Sequence, residues 1–146
     1  MISNVIWRGL EDGQTWITAH VNQWQRPVVL LLEGPMGAGK TQITKWIVEA
    51  LSGGQLLSPI QSPTFGIHHR YATSKGAVDH VDLYRLESDA DLESTGFWDL
   101  FIESDFVIVE WADRLPVHVW PSNWQKVRLK INSISATERS VSYEVF

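Results

Sequence analysis

The chain has 146 residues, 44% of them hydrophobic, so a single domain spanning 1–146 with a substantial core is expected. A net charge of −5 with scattered basic residues argues against a free-standing nucleic-acid-binding protein, and the absence of cysteine excludes disulfides and thiolate metal sites. The sequence has neither a basic-then-apolar leader nor an apolar run of membrane-spanning length, so a cytoplasmic protein without membrane contact is expected.

The first predicted elements are a helix and a buried strand. Apolar side chains recur on one helical face from Asp12 to Trp24, and Asp12 can cap the first turn. The run from Val28 to Leu32 has the length and the Val/Leu content of a strand that is covered on both faces. A helix followed by a buried strand is therefore expected before residue 33.

A phosphate-binding motif follows this strand. Residues 34–41 read GPMGAGKT, which has the P-loop spacing G-x-x-x-x-G-K-[ST], and a helical pattern continues to Leu51. Glycines let backbone N–H groups approach phosphate oxygens, while the helix N-terminus and Lys40 add positive charge. The Thr41 hydroxyl is placed to ligate Mg²⁺, whereas Pro35 has no N–H to donate. A glycine-rich turn that binds nothing is the alternative, but it would not explain why both flanks fit.

A possible switch lies after the P-loop helix. Residues 62–65 read SPTF, and in P-loop enzymes a threonine such as Thr64 can sense Mg²⁺ or the γ-phosphate. An ordinary Ser/Thr/Pro turn explains the same residues, and spacing alone does not decide between the two. A strand from Ile67 to Tyr71, a turn at Lys75-Gly76 and a strand from Val78 to Leu83 are predicted next.

Two carboxylates lie near the ends of predicted strands. Asp82 is either a candidate Mg²⁺ ligand or a solvated residue at a strand end. Glu110 ends the run FVIVE, which is typical of a second buried parallel strand beside the P-loop strand. An acid there can hold Mg²⁺ directly or through water, or orient an attacking water. A strand that merely emerges into solvent is the alternative, but the P-loop favours a functional role for Glu110.

The last third of the chain predicts a helix, a loop and a hairpin. The helix covers Ala90 to Phe101, and the loop covers 113–123 with its two prolines. Apolar residues then alternate along 127–131 and 141–145, which predicts a C-terminal antiparallel hairpin with Arg139 close to its turn.

Four motifs occur together in order: the P-loop, SPTF at 62–65, HVDLYRL at 80–86 and VIVEW at 107–111. The ensemble closely resembles the TsaE (formerly YjeE) family, small bacterial ATPases of the tRNA threonylcarbamoyladenosine pathway, over nearly the whole chain. The resemblance implies an α/β fold of the P-loop NTPase-like three-layer sandwich type, with a mainly parallel central sheet and antiparallel additions including the C-terminal hairpin. It also implies ATP and Mg²⁺ as cofactors and a TsaB–TsaD heterodimer as the partner, with tRNA reached only through that partner.

The resemblance also implies roles for individual residues. The phosphates would be surrounded by Met36, Gly37, Ala38, Gly39, Lys40 and Thr41. Thr41, Asp82 and Glu110 would hold the metal, and the catalytic residues would be Lys40, Asp82 and Glu110. Thr64 would be a switch residue, and further nucleotide contacts would come from Arg139, Asp12 and Thr15. The sequence departs from the family pattern at Pro35-Met36, where Asp-Leu is frequent, and at 66–69, where Thr-Leu-Val-Asn is more usual.

The activity implied by the resemblance is a slow, partner-stimulated, Mg²⁺-dependent ATP hydrolysis that resets the TsaB–TsaD complex between rounds of tRNA modification. A small-molecule P-loop kinase is the main enzymatic alternative, but the arginines form no clustered lid segment. A GTPase would need an Asn-Lys-x-Asp stretch, which the sequence lacks. A third alternative is a docking module that binds ATP and barely hydrolyses it.

Overall fold

The computed structural model describes residues 2–53, 59–61, 68–84, 92 and 96–146. Its strands are β1 (Ile2–Trp7), β2 (Val28–Glu33), β3 (Pro59–Gln61), β4 (His68–Thr73), β5 (Gly76–Asp82), β6 (Phe106–Glu110), β7 (Gln125–Ser133) and β8 (Arg139–Val145). Its helices are α1 (Leu10–His20), α2 (Lys40–Leu51) and α3 (Leu100–Glu103). Short 3-10 turns cover Val21–Gln23, Phe97–Asp99, Ala112–Arg114 and Val117–Val119.

The described strands form one eight-stranded sheet in the order β1-β8-β7-β2-β6-β5-β4-β3. The central strands β7, β2, β6 and β5 are parallel to their neighbours in this group, and the strands on either side add in antiparallel fashion. The fold class predicted from the sequence is therefore confirmed, including the C-terminal hairpin of β7 and β8. Because β7 pairs in parallel with β2, the hairpin also extends the parallel centre.

The sheet separates two hydrophobic cores, which makes the domain three layers thick. On one face, Leu30 and Ile108 pack with Ile17 of α1 and Ile47 of α2. On the other face, alternate residues of β2 and β6 pack with Phe97, Leu100 and two tryptophans. The two central strands are buried on both faces, which explains why their sequences are continuous apolar runs rather than alternating ones.

The described residues differ from the predicted elements at several places. Neither β1 nor β3 was predicted; β1 pairs antiparallel with β8 and β3 with β4, each at one edge of the sheet. α1 begins at Leu10 with Gly9 at its N-cap, so Asp12 is not the cap; its carboxylate instead accepts the backbone N–H of Arg8 at 2.9 Å. The helix predicted over Ala90 to Phe101 lies partly outside the described residues, and α3 continues past its predicted end to Glu103.

None of the helices in the described part of the chain combines the length and the apolar character that a membrane crossing requires.

Gly13 of α1 lies against a cluster of tryptophans, and we expect Gly13→Ala to destabilise the fold. A Cβ at this position would lie 2.6 Å from Trp46 Cζ3 and 2.9 Å from Trp7 Cε3, and both rings are buried. Overpacking of this kind typically costs about 1–3 kcal/mol, and most of that range exceeds the roughly 1 kcal/mol that alanine contributes over glycine in a helix. Urea unfolding followed by circular dichroism measures the change. Gln14→Ala, at an exposed position of the same helix, is the control and should leave stability nearly unchanged.

Candidate functional site

The P-loop connects the carboxyl end of β2 to the N-terminus of α2. Gly34 has a φ of +152°, and a Cβ there would lie 2.5 Å from the carbonyl oxygen of Ile131, so only glycine fits between the loop and β7. Gly37 and Gly39 have φ values of +82° and +112°, which L side chains rarely adopt. The sequence thus forms a loop in which backbone amides can face a bound anion.

Lys40, the first residue of α2, is buried at the base of this loop. Its Nζ donates hydrogen bonds to the carbonyl oxygens of Gly34 at 2.7 Å and Pro35 at 2.9 Å. The same ammonium lies 4.2 Å from the centre of the Trp111 ring, a cation–π contact. Burial lowers the pKa of Lys40, and the nearby carboxylates of Glu110 and Asp82 oppose that shift. The site therefore holds a cation whose charge is screened little by solvent.

The two predicted carboxylates meet on the same face of the sheet. Asp82 of β5 and Glu110 of β6 are register partners at the carboxyl ends of adjacent parallel strands. The Thr41 hydroxyl lies 3.2 and 3.1 Å from Oε1 and Oε2 of Glu110 and can donate its proton to either oxygen. Asp82 Oδ1 accepts the backbone N–H of Tyr84 at 2.9 Å. The structure thus brings together the three residues predicted to hold a metal.

These residues line one pocket of about 320 Å³ above the P-loop. Its walls are Met36, Gly37, Gly39, Lys40, Thr41, Gln42, Asp82, Tyr84, Glu110 and Trp111. Within the described ranges, no group of three or more His, Asp or Glu side chains converges as a metal site. The donor set is instead two carboxylates and a hydroxyl, hard oxygen ligands of the kind that Mg²⁺ takes when phosphate and water complete its shell.

A second pocket, of about 440 Å³, lies on the other side of the α2 N-terminus and shares Gly39 and Gln42 with the first. Its remaining walls are Trp7, Gly9, Leu10, Ala38, Ile43, Trp46, Ala136, Thr137 and Arg139. Arg139 reaches the P-loop itself, since its Nε donates to the carbonyl oxygen of Ala38 at 3.0 Å. The predicted phosphate-loop residues are thus distributed between two adjoining pockets. Ala38 lines the second pocket together with Arg139 of β8.

The remaining residues predicted to contact the nucleotide are Asp12, Thr15 and Thr64. Asp12 and Thr15 are exposed on α1, and neither lines the walls of the two pockets. Thr64 lies outside the described residues, as does the rest of the SPTF motif. The roles of Asp12, Thr15 and Thr64 therefore stay predictions.

Two further residues lie at the site: His80, to which sequence reasoning assigned no role, and Trp111, which the resemblance placed either at the site or at the partner surface. His80 is buried on β5, and its Nε2 lies 2.6 Å from Oε2 of Glu110. Trp111 has a left-handed backbone with φ 59°, a conformation that is rare for a bulky residue and is often found at functional sites. Both residues lie in the family-like motifs at 80–86 and 107–111, and this was the only sequence signal that could have pointed to them.

Comparisons with known proteins agree with one another. The sequence model of a family described as "Threonylcarbamoyl adenosine biosynthesis protein TsaE" matches residues 10–141. A Nostoc protein named tRNA threonylcarbamoyladenosine biosynthesis protein TsaE is 36% identical over 104 residues, covering 69% of this chain and 61% of its own length. A protein of the same name from Rickettsia bellii is 30% identical over 129 residues, covering 88% of this chain and 87% of its own length.

A solved structure is similar over almost the whole domain. The crystal structure of Bacillus subtilis YdiB aligns with a TM-score of 0.60 and 27% identity, covering 98% of this chain and 86% of that one. The coverage of the sequence relatives is less even. The matched region spans less than two thirds of some of them, 61% of the Nostoc protein and 55% of a Haemophilus influenzae protein of the same name.

Proposed function

The chain belongs to the TsaE family of threonylcarbamoyl adenosine biosynthesis proteins, and from this premise we propose that it is a Mg²⁺-dependent ATPase of tRNA modification. The observation that carries the proposal is the convergence of Lys40, Thr41, Asp82 and Glu110 on one pocket at the end of the parallel strands. This is the edge at which ligands bind in open parallel sheets. The proposed activity is slow in the isolated chain and rises when the partner binds.

The phosphates would bind in the first pocket, against the N-terminus of α2. Backbone N–H groups of the loop, together with the positive end of the helix, stabilise anionic oxygens. The Lys40 ammonium lies at the loop and donates hydrogen bonds to two carbonyl oxygens. A bound β- or γ-phosphate would compete for the same donor, and its full charge makes it the stronger acceptor.

Thr41 and Glu110 would hold Mg²⁺, and their hydroxyl and carboxylate oxygens fit that ion. When bound, Mg²⁺ neutralises charge on the β- and γ-phosphates. We assign Glu110 to the metal because its carboxylate contacts the Thr41 hydroxyl, the ligand that the P-loop supplies. Asp82, on the adjacent strand, is assigned to orient the attacking water. Lys40 would stabilise the negative charge that develops on the transferred phosphoryl oxygens.

The second pocket suits the nucleoside part of ATP. It adjoins the P-loop at Ala38 and Gly39, and its walls include the buried aromatic rings of Trp7 and Trp46. Mostly apolar, partly aromatic walls with a few polar groups are typical of small-molecule and cofactor sites. Arg139, which already contacts the loop, is placed to reach a phosphate or the ribose. Adenine binding here would explain why the chain needs no guanine-reading motif.

The partner that we propose is a TsaB–TsaD heterodimer, with tRNA bound by that complex and not by this chain. The net charge of −5 supports this division, because direct binding to tRNA needs a basic surface for the phosphates. A wall of the active site supplied by the partner would exclude water and raise the rate of ATP hydrolysis. The isolated chain, which lacks that wall, would therefore hydrolyse ATP slowly. We propose that the protein acts in the cytoplasm, which a role in tRNA modification supports.

The proposal is tested by measuring phosphate release from ATP with Mg²⁺, for the chain alone and with a purified TsaB–TsaD pair. We expect slow turnover alone, a clear increase with the pair, loss of activity in EDTA and little use of GTP. Rapid turnover alone with phosphoryl transfer to a small acceptor would identify a kinase instead. Tight ATP binding with no turnover in either condition would identify a docking module.

A further inference from the structure

The interaction between His80 and Glu110 is not used by the mechanism described so far. The two side chains are only 8% and 5% exposed, and His80 Nε2 lies 2.6 Å from Glu110 Oε2. His80 comes two residues before Asp82 on β5, so both side chains are on the face that carries the P-loop. As a metal ligand the Glu110 carboxylate can only accept hydrogen bonds, and in that state the imidazole is the donor.

The environment of the ring favours one use for it. Its other nitrogen, Nδ1, is buried without a hydrogen-bond partner among the described residues. Of the two ring nitrogens, it is therefore Nε2 that forms a hydrogen bond there, and its partner is Glu110. His69, the register partner of His80 on β4, stacks on it with ring centres 6.3 Å apart, and Tyr71 lies 6.4 Å away. The imidazole is therefore buried among other rings on this face of the sheet.

We propose that His80 is a positioning residue of the metal site, which orients the Glu110 carboxylate toward Thr41 and the pocket. This inference rests on the proposed function, because it assumes that Glu110 serves a bound metal. His80 is hydrogen-bonded to Oε2 of Glu110, and the Thr41 hydroxyl lies within 3.2 Å of both Glu110 oxygens. The orientation of the Glu110 carboxylate is therefore set by two different side chains. A carboxylate fixed in advance does not have to be ordered when the metal binds, and supports of this kind typically change metal affinity about 10–100-fold.

The test measures metal affinity rather than hydrolysis. The affinity of the protein for a fluorescent ADP analogue is first measured in EDTA. It is then measured in EDTA-free samples at increasing MgCl₂ concentrations, and the concentration that gives half of the change in nucleotide affinity is determined. His80→Leu removes the donor, whereas His80→Gln keeps an N–H donor at a comparable distance from the backbone. His69→Gln is the matched control, since His69 touches the same ring but not the carboxylate.

We expect His80→Leu to raise the half-saturating Mg²⁺ concentration about 10–100-fold while nucleotide affinity in EDTA is unchanged. His80→Gln should restore most of the wild-type value, and His69→Gln should match the wild type. If the leucine variant does not fold, as judged by circular dichroism, His80→Asn takes its place, because its amide is too short to reach Glu110.

The possible negative results have different meanings. A wild-type chain that binds no nucleotide, or binds it without any response to Mg²⁺, would overturn the proposed function itself. A wild-type chain that responds to Mg²⁺, together with a folded His80→Leu variant of the same Mg²⁺ affinity, would overturn only the role of His80. An equal loss in the leucine and glutamine variants would also overturn it, since the hydrogen-bond donor would then be irrelevant.

Discussion

Replacing Lys40 with alanine should lower ATP hydrolysis by at least about a hundredfold, equivalent to roughly 2.7 kcal/mol of transition-state stabilisation. The side chain is buried below the pocket and carries the only ammonium group among its walls, so no described neighbour there can replace its charge. Removal of one preorganised donor that stabilises the charge of a transition state typically costs a factor of about 10²–10³. Phosphate release and equilibrium nucleotide binding, measured on the same samples, separate loss of binding from loss of catalysis.

The fold should survive this substitution. Lys40 donates to two carbonyl oxygens of the loop, Gly34 and Pro35, and takes no part in either hydrophobic core. Lys45→Ala, at an exposed position one turn further along α2, removes the same charge from the same helix and is the matched control. Normal hydrolysis by a folded Lys40→Ala variant would show that the P-loop assignment is wrong.

The parts of this fold that the sequence predicted are those set by local pattern. β2 and β6 lie at the centre of the sheet and are buried on both faces, so each appears in the sequence as an uninterrupted apolar run. The P-loop is equally local, because its glycines, Lys40 and Thr41 follow directly from β2. Since both strands end at the same edge, the meeting of Glu110 with the P-loop could also be anticipated.

β1 shows why other parts could not be predicted. Of its six residues only Trp7 is buried, and two of its apolar side chains, Ile2 and Ile6, are more than half exposed. The strand exists because it pairs with β8, at the opposite end of the chain. Local periodicity carries no trace of such a pairing. The second pocket depends on the same contact, because Trp7 reaches it from β1.

The supporting residues of the site also depend on long-range register. His80 reaches Glu110 only because β5 and β6 pair in the register that places Asp82 opposite Glu110. The cation–π contact of Trp111 with Lys40 requires a left-handed backbone directly after β6. A tryptophan gives no sequence signal for that conformation, which glycine or asparagine adopts more readily. Motif spacing can thus identify the residues that would touch a nucleotide, but not the residues that hold them in place.

Glu110→Gln is expected to reduce Mg²⁺-dependent ATP hydrolysis by at least about a hundredfold, because it removes charge from the metal site while keeping the shape of the side chain. The amide oxygen can still accept the hydrogen bond from His80, so the local packing should be retained. Nucleotide affinity in EDTA should be close to that of the wild type, and the tightening caused by Mg²⁺ should be lost. The same fluorescent ADP titration, combined with a phosphate-release assay, measures both effects.

Glu33→Gln provides the matched control for this change. Glu33 ends β2 as Glu110 ends the neighbouring β6, but its carboxylate is engaged by Arg128 at 3.2 Å and Lys130 at 3.8 Å and does not line the first pocket. Its replacement should leave the Mg²⁺ response intact, because the carboxylate does not face the metal site. If Glu110→Gln kept both the Mg²⁺ response and the hydrolysis rate, Asp82 would have to be the residue that binds the metal. The contact between Thr41 and Glu110 would then be only structural, and Asp82→Asn would cause the loss that we expect here.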